Sequence, residues 1–120
     1  MTTLKTKSER LEFKNETGKK LVIEINTGDA EKISAWLKVI DTYKKDFGGS
    51  DYVAVKDGCR KIVSSILSDK VFDKIVKFCN NNISCIMIIV LDLVEKIISA
   101  QKSYTDELNA KAEVLKNVLK

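Results

Sequence analysis

Residues 83–94 (ISCIMIIVLDLV) form a twelve-residue run that only Ser84 and Asp92 interrupt with polar groups. A helix that is apolar on every side has to be buried, in a protein core or in a bilayer. Spanning a bilayer takes roughly 17–25 predominantly apolar residues, and Glu95-Lys96 closes this run well short of that. Asp92 would also have to sit in hydrocarbon, at about 2.5–3.5 kcal/mol even on lenient scales. The amino-terminal stretch TTLKTKSERLEFKN carries no apolar segment of the kind a signal peptide needs. The run is therefore expected to be the buried central helix of a soluble, cytoplasmic domain, with no membrane partner.

The rest of the chain supports long helices around that spine. It has 120 residues, no proline and five glycines, so few elements are forcibly broken. The composition, 44% hydrophobic and 32% charged, is that of a single globular domain. The first twenty positions hold six basic residues (Lys5, Lys7, Arg10, Lys14, Lys19, Lys20) against three acids. Phe13 is the one aromatic residue there that could stack on a base, so a solvated terminus is expected and not a nucleic-acid arm. Cys59, Cys79 and Cys85 match no zinc spacing, and the chain has no histidine. Three reduced, buried thiols are expected.

Residues 1–9 read as a flexible arm. Leu11 and Phe13, then Leu21 or Val22, Ile23 and Ile25, alternate with polar positions across Asn15-Glu16-Thr17-Gly18. That period of two predicts a hairpin within residues 10–26, pairing 10–14 with 21–26. Thr27 or Asp29 can cap a helix over 29–46, whose stripe is Ile33, Trp36, Leu37, Ile40 and Phe47. Gly48-Gly49-Ser50 ends it. A second helix follows over 52–67 through Val55, Cys59, Ile62, Val63 and Ile66. Gly58 inside it costs about 1 kcal/mol relative to alanine unless a neighbour packs closely there. A third helix, 69–78, starts at Ser68-Asp69 and turns Val71, Phe72, Ile75 and Phe78 inward. Asn80-Asn81-Asn82 breaks it, because asparagine tolerates the left-handed region. Trp36, Phe47 and Phe72 are assigned to the core. The fold expected is α+β, mainly α: a hairpin on about four helices.

The helix that begins at Ile83 does not lose its period at Val94. Ile97, Ile98, Gln101, Tyr104, Leu108, Ala112, Leu115 and Leu119 extend the stripe to the end. Unbroken, it would measure about 57 Å at 1.5 Å per residue, against a radius of gyration of roughly 13–14 Å for a compact domain of this length. The globular unit is accordingly bounded at residues 10–103, its last helix being 83–103. Residues 104–120 become an amphipathic helical extension that projects, folds back near 103–106, or docks on another chain. Tyr104, Leu108, Leu115 and Leu119 are its candidate partner-binding residues.

Chemistry is sparse. The acids fall on predicted solvent faces, and the chain lacks histidine, the commonest proton shuttle. Gly48-Gly49 is not followed by the Lys-Ser/Thr of a phosphate loop. Ser64-Ser65 has no adjacent base. The third helix offers Lys70, Lys74 and Lys77 but no Arg, Asn or Gln in its first turns to read base edges. A non-enzymatic protein without cofactor or metal is expected, and nucleic acid is disfavoured as a partner.

Taken in order, these segments resemble small tail assembly chaperone-like proteins encoded among the tail genes of long-tailed bacteriophages and Gram-positive prophages. The likeness runs from Leu11 to Tyr104. Its most specific parts are Asp69-Lys70-Val71-Phe72-Asp73-Lys74-Ile75 and the helix carrying Leu91-Asp92-Leu93-Val94 and Gln101-Lys102-Ser103-Tyr104. Asn80-Asn81-Asn82 stands where the family tends to have Gly-Gly. The resemblance implies a protein-binding role, with the tape measure protein or tail tube protein as partner, and transfers no individual functional residue. A helical structural or regulatory module, homo-oligomeric or DNA-associated, is the alternative.

Overall fold

The structure is a computed structural model that describes residues 1–3, 7–48 and 50–118. Lys5, Gly49 and Leu119, which figure in the sequence expectations above, lie outside the described residues. The fold is α+β and mainly α: a two-stranded antiparallel sheet followed by four helices, the last of them long.

Strands β1 (Ser8–Lys14) and β2 (Lys20–Asn26) pair with Leu11 opposite Ile23 and Phe13 opposite Leu21. Strand β1 starts at Ser8 because Ser8 and Glu9 still find partners in Asn26 and Ile25, although neither shows alternating hydrophobicity. Leu11, Leu21, Ile23 and Ile25 are buried on the inner face, while Val22 and Glu24 face water. The Asn15 carboxamide oxygen organises the turn. It accepts hydrogen bonds from Thr17 N (3.1 Å), Thr17 Oγ1 (2.7 Å) and Lys19 N (3.0 Å). Gly18 takes the left-handed position at φ +85°, where a side chain would be strained.

Each helix begins on a side-chain cap that satisfies an otherwise unpaired backbone N–H. Asp29 caps α1 (Ala30–Tyr43), Asp51 caps α2 (Tyr52–Ile66) and Ser68 caps α3 (Asp69–Phe78). Asn82 accepts from Cys85 N at 3.0 Å to start α4 (Ile83–Val118). After Tyr43 the chain tightens into a 3-10 turn, Lys44–Phe47, so α1 is shorter than its stripe predicts. That turn brings Asp46 onto α2 at Gly58. A Cβ there would stand 2.9 Å from Asp46 Cβ, which explains the glycine inside a helix.

Asn80 (φ 51°) and Asn81 (φ 59°) are both left-handed. Asn81 N donates to Val76 O (2.9 Å) and Asn80 N to Lys77 O (3.2 Å), the paired bonds of a Schellman cap. The tight reversal places Cys79 and Cys85 with Cα atoms 5.6 Å apart, and they are joined by a disulfide, well within the usual span. The expectation of three reduced thiols is thus corrected: spacing along the chain does not reveal that the turn folds the two residues together. Cys59 alone is free, and it is buried.

Helices α1 and α2 pack on α4, and α3 links α2 to β2. The core holds Ile33, Cys59, Ile62, Val63, Phe72, Ile75, Ile86, Val90, Leu93 and Ile97, all at or near zero exposure. Trp36 and Phe47, assigned to the core from sequence, pack at its margin and stay half-buried; Phe72 is fully enclosed. A second correction concerns residues 83–94. Ile86, Ile89, Val90, Leu93 and Val94 are buried, but Ile88 is 61% and Leu91 43% exposed. The neighbouring elements cover one side of α4 and leave the other largely open, with Ile88 facing a cleft beside the end of β1.

Candidate partner-binding site

Helix α4 is 36 residues long, with no break near residues 103–106. At about 1.5 Å per residue it spans roughly 54 Å, close to the molecule's longest dimension of 59 Å. The radius of gyration, 17.4 Å, exceeds the roughly 14 Å of a compact chain of this length because the helix leaves the body it belongs to.

The last anchor is at residues 104–107. The Lys7 ammonium sits 4.5 Å from the centre of the Tyr104 ring and pairs with the Glu107 carboxylate. That hydrogen bond holds the Glu107 carboxyl below its ordinary pKa, with desolvation opposing it and the charge on Lys7 adding to it. Gly28 lets the Lys7 backbone pass, since a Cβ there would lie 3.3 Å from Lys7 O. The amino-terminal segment thereby latches α4 to the hairpin just where the helix departs.

Beyond Glu107 every described residue is exposed. Leu108 is 64% and Leu115 59% exposed, joined by Val114 and Val118. Leu115 stands 18 residues after buried Ile97 (115 − 97), five turns at about 3.6 residues each, so both point the same way. The side of α4 that makes the core therefore continues past the domain as an uncovered stripe. Ala110, Lys111, Ala112, Glu113 and Lys116 are strong helix formers, and Lys116 lies 4.0 Å from Glu113. Local propensity favours the helix where tertiary packing does not reach.

Of the four residues singled out from sequence, Leu108 and Leu115 share this stripe. Tyr104 is half-buried under Lys7 and forms the joint, not the free surface. Leu119 lies outside the described residues. The Lys7–Glu107 latch, exposed Val114 and Val118, and the exposure of Ile88 and Leu91 were not anticipated. Ile98, expected to continue the inner stripe, is instead 51% exposed on the outer side, about 100° of helix away from buried Ile97. The outer stripe leaves a sequence signal. Ile88 and Leu91 fall outside the positions that the inner face needs.

Among the described residues, Cys59, Ser64 and Lys61 each have local partners or surroundings of their own. Burial pushes the Cys59 thiol up to about 11, which keeps it protonated and unreactive at neutral pH. The Ser64 hydroxyl donates to Asp69 at the start of α3. Lys61 is held protonated by Asp57, 3.0 Å away on the same helix. Among the described residues no group of three or more Cys, Asp or Glu is placed to hold a metal ion, and no helix is long and apolar enough to cross a membrane. Compared with protein-family models, curated proteins and solved structures, the chain finds no match.

Proposed function

We propose that the protein is a non-enzymatic, chaperone-like module for bacteriophage or prophage tail assembly, binding the tape measure protein or tail tube subunits in the host cytoplasm. One observation carries this reading: α4 leaves its domain unbroken, with its apolar side uncovered at Leu108 and Leu115. An amphipathic helix with anchors seven residues apart suits side-by-side recognition of another helix. A tape measure protein, as a long helical chain, presents such a surface many times over. The segment Asp69-Lys70-Val71-Phe72-Asp73-Lys74-Ile75 and the Leu91-Asp92 helix add the family resemblance.

Magnitudes shape the mechanism. Burying two leucines is worth about 1.5–3 kcal/mol each, short of the roughly 8.2 kcal/mol of a micromolar complex. Through these two leucines alone, one extension therefore binds weakly, and the grip would strengthen only where copies bound along the partner also contact one another. Co-expression with a tape measure protein should keep that protein in solution and yield a complex on size exclusion. Leu108→Glu with Leu115→Glu should abolish co-elution. A gene neighbourhood with no tail tube or tape measure gene would sink the reading.

Self-association is the second reading, favoured by the outer stripe of Ile88, Leu91 and Ile98 on α4. It predicts a discrete oligomer by light scattering that Ile88→Glu with Ile98→Glu dissolves while the Leu108/Leu115 pair of substitutions does not.

A further inference from the structure

The other end of the molecule carries a different surface. The start of β2 and the exposed side of α3 enclose a shallow groove of about 400 Å³, floored by Leu21 and Phe78 and walled by Lys19, Lys20, Lys74 and Lys77. No carboxylate lines it. Lys14 stands directly opposite Lys20 in the hairpin register, an arrangement of like charges that weakens a strand pair. Among the described residues, six ion pairs engage Lys7, Arg10, Lys44, Lys61 and Lys116, and none engages any of these five lysines. Positive charge is thus concentrated around an apolar floor and left unneutralised within the chain.

We propose that this groove docks an acidic protein segment that places one aliphatic side chain between Leu21 and Phe78 and its carboxylates against the four lysines. The floor favours a peptide over a nucleic acid. Leu21, which has no ring to stack on a base, forms part of the floor beside Phe78 and suits an aliphatic side chain. The volume lies at the small end of ligand pockets, about 300–1,000 Å³, which suits one anchoring side chain. The Asn15 carboxamide, bonded to Phe78 O at 3.3 Å, fixes the hairpin tip against α3, so the walls are set before a partner arrives. The surface is separate from the α4 extension, and its occupancy does not depend on what the extension binds.

Fluorescence anisotropy of a labelled peptide of Glu-Glu-Leu repeats, titrated with the full chain, tests this. Saturable binding that weakens with added salt is expected. The matched Glu-Glu-Ser peptide should bind about tenfold more weakly, as should the Lys74→Glu/Lys77→Glu protein toward the leucine peptide. Lys74→Gln/Lys77→Gln, with an unchanged circular-dichroism melt, should show a smaller loss and carries the test if the charge reversal fails to fold. Equal affinity for both peptides, no effect of the lysine changes, or tighter binding of a single-stranded DNA of equal charge would each overturn the proposal. Tape measure co-elution should be unaffected by these lysine variants, which keeps this test apart from that of the α4 extension.

Discussion

Residues 83–107 and 108–118 belong to one helix with one apolar period, yet the first part is the spine of a domain and every residue of the second is exposed. Leu93 is completely buried, whereas Leu108, on the same side about four turns later, is 64% exposed. The difference lies not in the helix but in what covers it. Helices α1 and α2 pack on α4, and the Lys7 latch at Tyr104 and Glu107 marks the end of that support. Periodicity identifies the side of a helix that wants a partner; it does not say whether the partner is in the same molecule.

The comparison is most easily broken by making the same change in both parts. Leu93→Ala should destabilise the protein by about 3 kcal/mol, the transfer loss plus a cavity. Leu108→Ala should move stability by no more than about 0.5 kcal/mol. Urea denaturation followed by circular dichroism measures both. A loss above about 2 kcal/mol at Leu108, as expected of a packed leucine, would mean that the extension is covered in solution, by its own domain or by a second copy.

The Cys79–Cys85 disulfide fixes the start of the spine. In the chain-entropy account, closing so short a loop contributes roughly 2 kcal/mol. Reduction with a thiol reagent should therefore lower the urea midpoint of the parent protein and leave Cys79→Ser/Cys85→Ser unaffected. Identical curves with and without reductant would remove the disulfide from the account of stability. Neither result should alter the helicity of the extension, which the turn does not touch.

Much of the supported part was legible in the chain. The hairpin follows from period-two alternation across Asn15 and Gly18, two helix starts from Asp29 and Ser68, and the α3–α4 break from three asparagines. What stayed hidden depends on contacts between distant segments. Cys79 and Cys85 meet only after Asn80 and Asn81 turn left-handed. Ile88 and Leu91 stay wet because the elements packed on α4 cover its other side. Gly58 is explained only once Asp46 arrives beside it. At the candidate site, Leu108 and Leu115 could be read from spacing, but Lys7 could not. A lysine in a polar arm carries no sign that it will sit over Tyr104, some hundred positions on.

That latch supplies the smallest effect and the finest test of where the two parts divide. Glu107 is solvent-facing, and Lys7 lowers its pKa from an ordinary value of 4.5. A carboxyl whose folded pKa is depressed stabilises the fold above its unfolded value and loses that contribution as pH falls through the folded one. Parent and Glu107→Gln should therefore differ slightly in melting temperature at neutral pH, and the difference should close as pH drops below about 4.5. Added salt should shrink it as well, as for any exposed pair. Truncation sharpens the same boundary. A chain ending at Glu107 keeps Tyr104 and both contacts of Lys7, so its melting temperature should match the parent's. One ending at Ser103 loses them and should melt slightly lower, with faster amide exchange at the amino-terminal end of β1. If both truncations melt together, the latch holds nothing and the domain ends at Ser103; if the longer one also falls, residues 108–118 belong to the fold.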